Sequence, residues 1–265
     1  MRIVRHTKYI QQQKRRSKWL AFIGFVVLSS AMFLAMLPNL LLFAYIAMIG
    51  GFIMFNMGMQ GIGRWTRSPR NDQILDSRMK GLTDQVTLVH YAKVGEKGKV
   101  FDHLAIVPAG LLILNAREVD GVIRQKKSSW RKSGGLFRKM FSFSGPQLGN
   151  PSFENDRNIP LIEQWLADNQ LEVDVYAATV FLHPQVDLEV EEPDYPVLHG
   201  EEVDDFIRDL PVDPSFSPDE KSRLIEMLSA GEGIEEPVRE QAVRRPRPVR
   251  RAAGPKPTQV KRKTA

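Results

Sequence analysis

Two uncharged apolar runs dominate the first quarter of the chain. Trp19 to Leu37 (WLAFIGFVVLSSAMFLAML) carries only Ser29 and Ser30 as polar groups. As a helix it would be about 28 Å long, close to the hydrocarbon thickness of a bilayer. Leu40 to Gln60 (LLLFAYIAMIGGFIMFNMGMQ) is likewise uncharged. Pro38-Asn39 separates the runs, and neither residue suits a helix interior. The pattern predicts an antiparallel transmembrane hairpin with spans 19–37 and 40–60 and a tight turn. The two serines can bond to the preceding helical turn, Gly50-Gly51 suits close helix contact, and Asn56 and Gln60 mark the interface. A cleaved signal peptide has a shorter apolar core and no second run, and a buried pair of core helices would swamp so small a domain.

Beyond residue 70 the periodicity changes. Apolar positions 74, 75, 79 and 82 predict a helix over Asp72 to Leu82. Val86–Val94, Val100–Val107 and Leu111–Val119 read as strands, joined by turns at 95–98 and at Pro108-Ala109-Gly110. Val122-Ile123 can start another short strand. Residues 124–150 form a basic Gly/Ser-rich excursion with Trp130, Phe137, Phe141 and Phe143 interleaved. Its functional reading is contact with nucleic acid or lipid headgroups. Ile159–Asn169 reads as a helix with Pro160 in its first turn. Val173–Leu182 reads as a central strand. Residues 187–220 are acidic, with a helix at Glu201–Leu210. Ser217–Ala230 is a final helix capped by Ser217, with Pro218 at its first position. The predicted class is α/β: a two-helix transmembrane hairpin, then a cytoplasmic domain with a mixed sheet flanked by helices. The expected segments are a basic N-terminus (1–18), the hairpin (19–60), a domain (70–212), a C-terminal helix (213–230) and a disordered basic tail (231–265).

Charge gives the hairpin an orientation. Residues 1–18 hold seven Lys/Arg and no acid, Arg64, Arg67 and Arg70 follow the second span, and the turn is uncharged. The positive-inside rule puts both termini in the cytoplasm, with the plasma membrane the expected location and Trp19 and Trp65 at the interface. The excess positive charge belongs to the ends: residues 71–238 carry 17 basic and 30 acidic residues. A wholly basic nucleic-acid-binding fold is therefore unlike this chain. There are no cysteines, which excludes disulfides, Cys-ligated zinc, iron–sulfur clusters and thiol nucleophiles. The five histidines show no metal-ligand spacing, and no phosphate loop or serine elbow is present. The tail from Arg239 holds ten Lys/Arg against Glu240. It suits anionic lipid headgroups or nucleic acid, or it folds back on the acidic 187–220 stretch.

The chemistry that stands out is in the hairpin around 108–110. With Ala109-Gly110 as a two-residue turn, Asp102 falls opposite Arg117 and Leu104 opposite Asn115. Opposed residues share a face and strands repeat every two residues, so Asp102, Asn115 and Arg117 converge. Glu118 would point to the other face. An Asp, a second oxygen ligand and a cation on one surface suggest a metal-assisted phosphodiester site holding Mg²⁺.

At these residues the chain resembles the nuclease-related domain family (NERD), a branch of the restriction-endonuclease-like superfamily with an Asp followed by an Asp/Glu-x-Lys pattern. The similarity runs through FDHLAIVPAGLLILNAREVDGVI, Phe101 to Ile123. It extends to Asn71-Asp72-x-x-Leu75-x-x-x-Met79 before it, Asn150-Pro151 with Glu154 where a Gln is usual, and VYAATVFLH after it. Together these pieces span roughly residues 70–210. The resemblance implies that Asp72 and Asp102 are metal-binding acids, that Asn115 stands for a catalytic Glu, and that Arg117 stands for a catalytic Lys. Asn115 removes a negative charge, which weakens divalent-cation binding, and Arg117 cannot shuttle a proton at neutral pH. Asp72 also suits a plain helix N-cap, Asp102 a strand residue held by a neighbouring cation, and Asn115 with Arg117 a polar strand end. The expectation is a membrane-anchored pseudoenzyme with a binding or scaffold role. The alternatives are an active Mg²⁺-dependent membrane-tethered nuclease acting on DNA or RNA, and a membrane protein whose tail recruits nucleic acid.

Overall fold

The computed structural model of the protein describes residues 1–96, 98–133 and 147–235. The first element is unannounced in the sequence: Arg2–Arg5 is a strand, β1. Helix α1 (Thr7–Leu34) follows, then a single 3₁₀ turn at Pro38–Leu40 and helix α2 (Leu41–Thr66). Both helices are long and apolar enough to cross a membrane. They pack antiparallel over small residues: a Cβ on Gly24 would meet the backbone of Phe55, one on Gly58 that of Ala21, and one on Gly51 lies 2.9 Å from the Leu28 nitrogen. Gly50, by contrast, has nothing within 4 Å, so only Gly51 of the expected pair makes the contact. Ser29 and Ser30 donate to Phe25 and Val27 carbonyls at 3.0 and 2.9 Å, as their spacing predicts.

The rest is mixed α/β. Helix α3 (Asn71–Arg78) leads into β2 (Thr87–Val94), β3 (Lys99–Val107) and β4 (Gly110–Arg117). A small excursion follows, β5 (Gly121–Lys126) and β6 (Ser129–Lys132). Then come α4 (Pro151–Asp168), β7 (Val175–Phe181), β8 (Val186–Glu191), β9 (Val197–His199), α5 (Val203–Asp209), α6 (Pro218–Ser229) and β10 (Ile234–Glu235). The main sheet has the order β10-β1-β2-β3-β4-β7-β9, with β2, β3 and β4 antiparallel and β7 parallel to β4. β1 lies parallel to β2 and is covered on its outer edge by β10. A second sheet, β6-β5-β8, packs on the end of β7, where Ile123, Val186 and Trp130 meet Phe181. Residues 124–133 are thus a β-hairpin rather than a loose excursion, and the acidic segment contributes β8 and β9. Phe137, Phe141, Phe143 and the tail beyond Glu235 lie outside the described residues.

Strand alternation builds two cores. Leu88, Ala105, Leu112, Leu114 and Val180 face α3 and α5, where Leu75, Met79, Val203 and Ile207 meet them. Val89, Leu104, Ile106, Leu111 and Ile113 face α4 and α6, where Ile162, Leu166, Leu224 and Leu228 meet them. Each such fully buried aliphatic side chain contributes about 1.5–3 kcal/mol. Two helix starts are set by local chemistry. Asn150 accepts from the Phe153 amide with Pro151 at the first position, so α4 begins eight residues before the expected Ile159 and Pro160 sits inside it. Ser217 and Glu220 form a reciprocal capping box, with Pro218 at the first position, as the sequence predicts.

Candidate functional site

The β3–β4 turn uses Pro108-Ala109, with Val107 paired to Gly110 and Leu104 to Ile113. The expected turn was one residue later, which shifts the cross-strand register by two. Asp102 therefore falls opposite Asn115, not Arg117. A two-residue slip leaves every side chain on its original face. Asn115 and Arg117 reach α4 through Asn155 and Glu154, whereas Asp102 reaches Arg64 of α2.

A cleft of about 430 Å³ opens where the carboxyl ends of β2 and β4 meet the end of α2. Asp102 and Arg117 line it, together with Arg64, Arg67, Tyr91 and Glu118; Asn115 and Asp72 are not among its lining residues. Glu118 had been expected on the opposite face. It lies one residue beyond the end of β4, where the two-residue alternation no longer holds, and it pairs with Arg67. Asp102 is bound by Arg64 Nη2 at 2.6 Å, and Arg117 Nη2 by Glu154 Oε1 of α4 at 2.5 Å. Asn115 Nδ2 donates to Asn155 Oδ1 of α4 at 2.6 Å. The Nε of Arg117 is buried and has no hydrogen-bond partner among the described residues.

Asp72 sits behind this cleft, fully buried in the first turn of α3, whose N-cap is Arg70 rather than Asp72. Arg70 Nη2 and Arg5 Nε lie 2.8 and 3.1 Å from its carboxylate. Burial pushes the Asp72 carboxyl up, but the Arg70 hydrogen bond and the charges of His90, Arg70 and Arg5 outweigh it and hold it below the usual range. Arg5 also binds Asp76, whose other oxygen accepts from His90 Nε2 at 2.8 Å. His90 and His103 meet through their Nδ1 atoms at 2.7 Å. A buried polar chain thus runs from β1 through α3 to His103 on the cleft wall.

Tyr91 joins these parts. It sits between the pairs His90–His103 and Ala92–Phe101 with φ 61°, a left-handed conformation that is costly for a bulky residue. Its ring packs on Trp65 and Tyr9, with centroids 5.1 and 5.9 Å away, and these contacts hold the strained backbone. Its hydroxyl reaches Asp72 at 3.5 Å, and burial followed by the Asp72 and Asp102 charges pushes its pKa well above the usual phenol value, so it stays a neutral donor. Trp65, expected at a lipid interface, is only 6% exposed and instead pins the end of α2 to this aromatic cluster.

No family model matches the chain, and no solved structure matches it. An uncharacterized protein of Bacillus anthracis is similar to it, 30% identical over 114 residues, which are 43% of this chain and 48% of that relative. The chain spans about half the length of the curated relative it matches, and that relative brings no activity with it.

The side chains themselves must then speak for the chemistry. Mg²⁺ asks for near-octahedral oxygen ligands and usually one or two free carboxylates. Here Asp102 and Asp72 are each taken by arginines, Asn115 directs its amide nitrogen to α4, and no three acidic or histidine side chains group together among the described residues. That donor set does not fit a divalent cation. Three guanidiniums against two carboxylates on the lining suit an anion better.

His103 adds a pH signature. Burial, then repulsion from His90, lowers its value to about 3, so it is neutral in the folded chain. An unfolded histidine binds a proton below about pH 6.5 that the folded one refuses. Stability should therefore fall as pH drops below that value, by about 2 kcal/mol from this group between pH 6.5 and 5. Unfolding free energies of the full chain and of His103→Gln across this range provide the check. Parallel profiles for the two proteins would refute the assignment.

Proposed function

We propose that this protein is anchored in a membrane by its N-terminal hairpin, with both ends on the cytoplasmic side of the plasma membrane. There it carries a nuclease-related domain whose site binds rather than cuts. Anchoring is supported by the outward faces of α1 and α2, where Phe22, Phe33, Leu42, Phe43 and Phe52 are all exposed, an arrangement that water penalises and lipid does not. The domain reading is supported by the order helix, three main-sheet strands, a two-strand excursion, helix, strand and by Asp102 and Arg117 reaching one cleft. The observation that carries the non-catalytic role is the fully buried Asp72, whose carboxylate Arg70 and Arg5 already occupy.

The test is cleavage of single- and double-stranded DNA and RNA by the full chain in detergent, with Mg²⁺ or Mn²⁺. A soluble fragment from residue 66 would lack β1 and is a poor substitute. The wild-type protein should show no cleavage above background. Metal-dependent cleavage lost in Asp102→Ala would replace this reading with the active nuclease. The double variant Asn115→Glu with Arg117→Lys restores the acid and the proton-shuttling cation. If the carried-over positions are right, it should gain metal-dependent cleavage of at least about 100-fold over wild type, the scale of one positioned acid–base group.

A further inference from the structure

The cleft borrows much of its wall from the helix that the membrane reading places in the bilayer. Gln60, Arg64 and Arg67 of α2 and the segment after it line it, and Gln60 ends the uncharged run. At 1.5 Å per residue, Arg64 lies about 6 Å beyond the apolar stretch. The headgroup layer of each leaflet is about 5–8 Å thick. The cleft mouth thus stands at the level of lipid phosphates. Building on the anchoring and binding roles proposed above, we infer that the cleft formed by Arg64, Arg67 and Arg117 receives the phosphate of an anionic phospholipid headgroup.

Size and exchangeable guanidinium partners agree. A volume of about 430 Å³ suits one small polar group rather than an extended track of phosphates. Its three arginines each rest on one acid, Arg64 on Asp102, Arg67 on Glu118 and Arg117 on Glu154, while His103 and Tyr91 are neutral. The Arg64–Asp102 pair is half exposed, 53% and 42%, and such pairs open at little cost. A headgroup phosphate can take Arg64 from Asp102. Nucleic acid is a poorer occupant. The aromatic rings at the site, Tyr91 and Trp65, are 4% and 6% exposed and pack on one another, so they offer no face for base stacking.

The experiment uses the full chain in neutral detergent. It is titrated with short-chain phosphatidylglycerol, short-chain phosphatidylcholine, inorganic phosphate and a single-stranded oligonucleotide, with thermal shift and calorimetric binding as readouts. Phosphatidylglycerol should bind saturably, phosphatidylcholine should not, and inorganic phosphate should compete weakly. Arg64→Gln should weaken phosphatidylglycerol binding about tenfold, the scale of one charge-assisted hydrogen bond. Asp102→Asn, which frees Arg64, should tighten it severalfold, whereas a metal-ligand role for Asp102 predicts no gain. Anionic-lipid binding unchanged in both variants would place the lipid elsewhere and overturn the inference. So would an oligonucleotide that binds where the lipid does not, or inorganic phosphate as tight as the lipid. Release of the chain from membranes by salt alone would sink the anchoring role, a different failure from loss of lipid selectivity in an integral protein.

Discussion

Arg5→Ala is expected to destabilise the protein by about 3–5 kcal/mol, the cost of removing one partner from buried charges. Arg5 reaches Asp72 through Nε, Asp76 through Nη2 and Glu235 through Nη1, so one side chain ties β1 to α3 and to β10. Asp72 is fully buried and Asp76 only 13% exposed on its side chain; neither can turn to water when the guanidinium leaves. Arg70 and His90 keep each acid partly compensated, which places the effect inside that range rather than above it. The pH dependence follows from Asp72. Its carboxyl is held below the usual value, so its contribution is complete above about pH 4–5 and is lost as pH falls through the lowered value. The deficit of Arg5→Ala should therefore shrink in acid. Arg5→Lys should recover only part of the loss, because one ammonium cannot reproduce a fork across three acids. Chemical denaturation of the full chain in detergent, with hydrogen exchange at residues 2–5, would measure it. A variant within about 0.5 kcal/mol of wild type would show that β1 is not bolted in by this residue.

Gly58→Leu should separate α1 from α2. A Cβ at this position already falls within the backbone of Ala21, so nothing flexible can move aside. Overpacking usually costs about 1–3 kcal/mol, and a clash with backbone belongs at or above the top of that range. Gly50→Leu is the matched control, since that position meets nothing within 4 Å and should leave the hairpin intact. Thermal unfolding in detergent and protease sensitivity of the 35–40 turn distinguish the two. Equal behaviour of the variants would mean that the small-residue seam does not hold the pair together. Separation of the helices should also disturb the cleft, because Arg64 and Trp65 would no longer be held against Asp102 and Tyr91.

These two sites show the division of labour between sequence and fold. The paired apolar helices, the turn at Pro38, four of the domain's strands (β2, β3, β4 and β7) and the Ser217 cap were legible because each rests on local periodicity or on a cap a few residues long. The strands that carry Asp102, Asn115 and Arg117 were legible for the same reason, but not where each side chain ends: Asp102 meets α2, and Asn115 and Arg117 meet α4. The sequence did not disclose β1. Four residues among basic neighbours look like a positive flank, and their partner in β2 lies some 85 residues away. Nor could it disclose that Arg64 closes on Asp102, that Trp65 packs on Tyr91 rather than lipid, or that Glu118 turns into the cleft. Each of those depends on where a helix end docks against a sheet, which long-range packing decides and no local pattern records. The elements and the faces of its strands belong to the sequence; the partners of every charge in the cleft belong to the tertiary structure, because ion pairs form between whatever side chains the packing brings within reach.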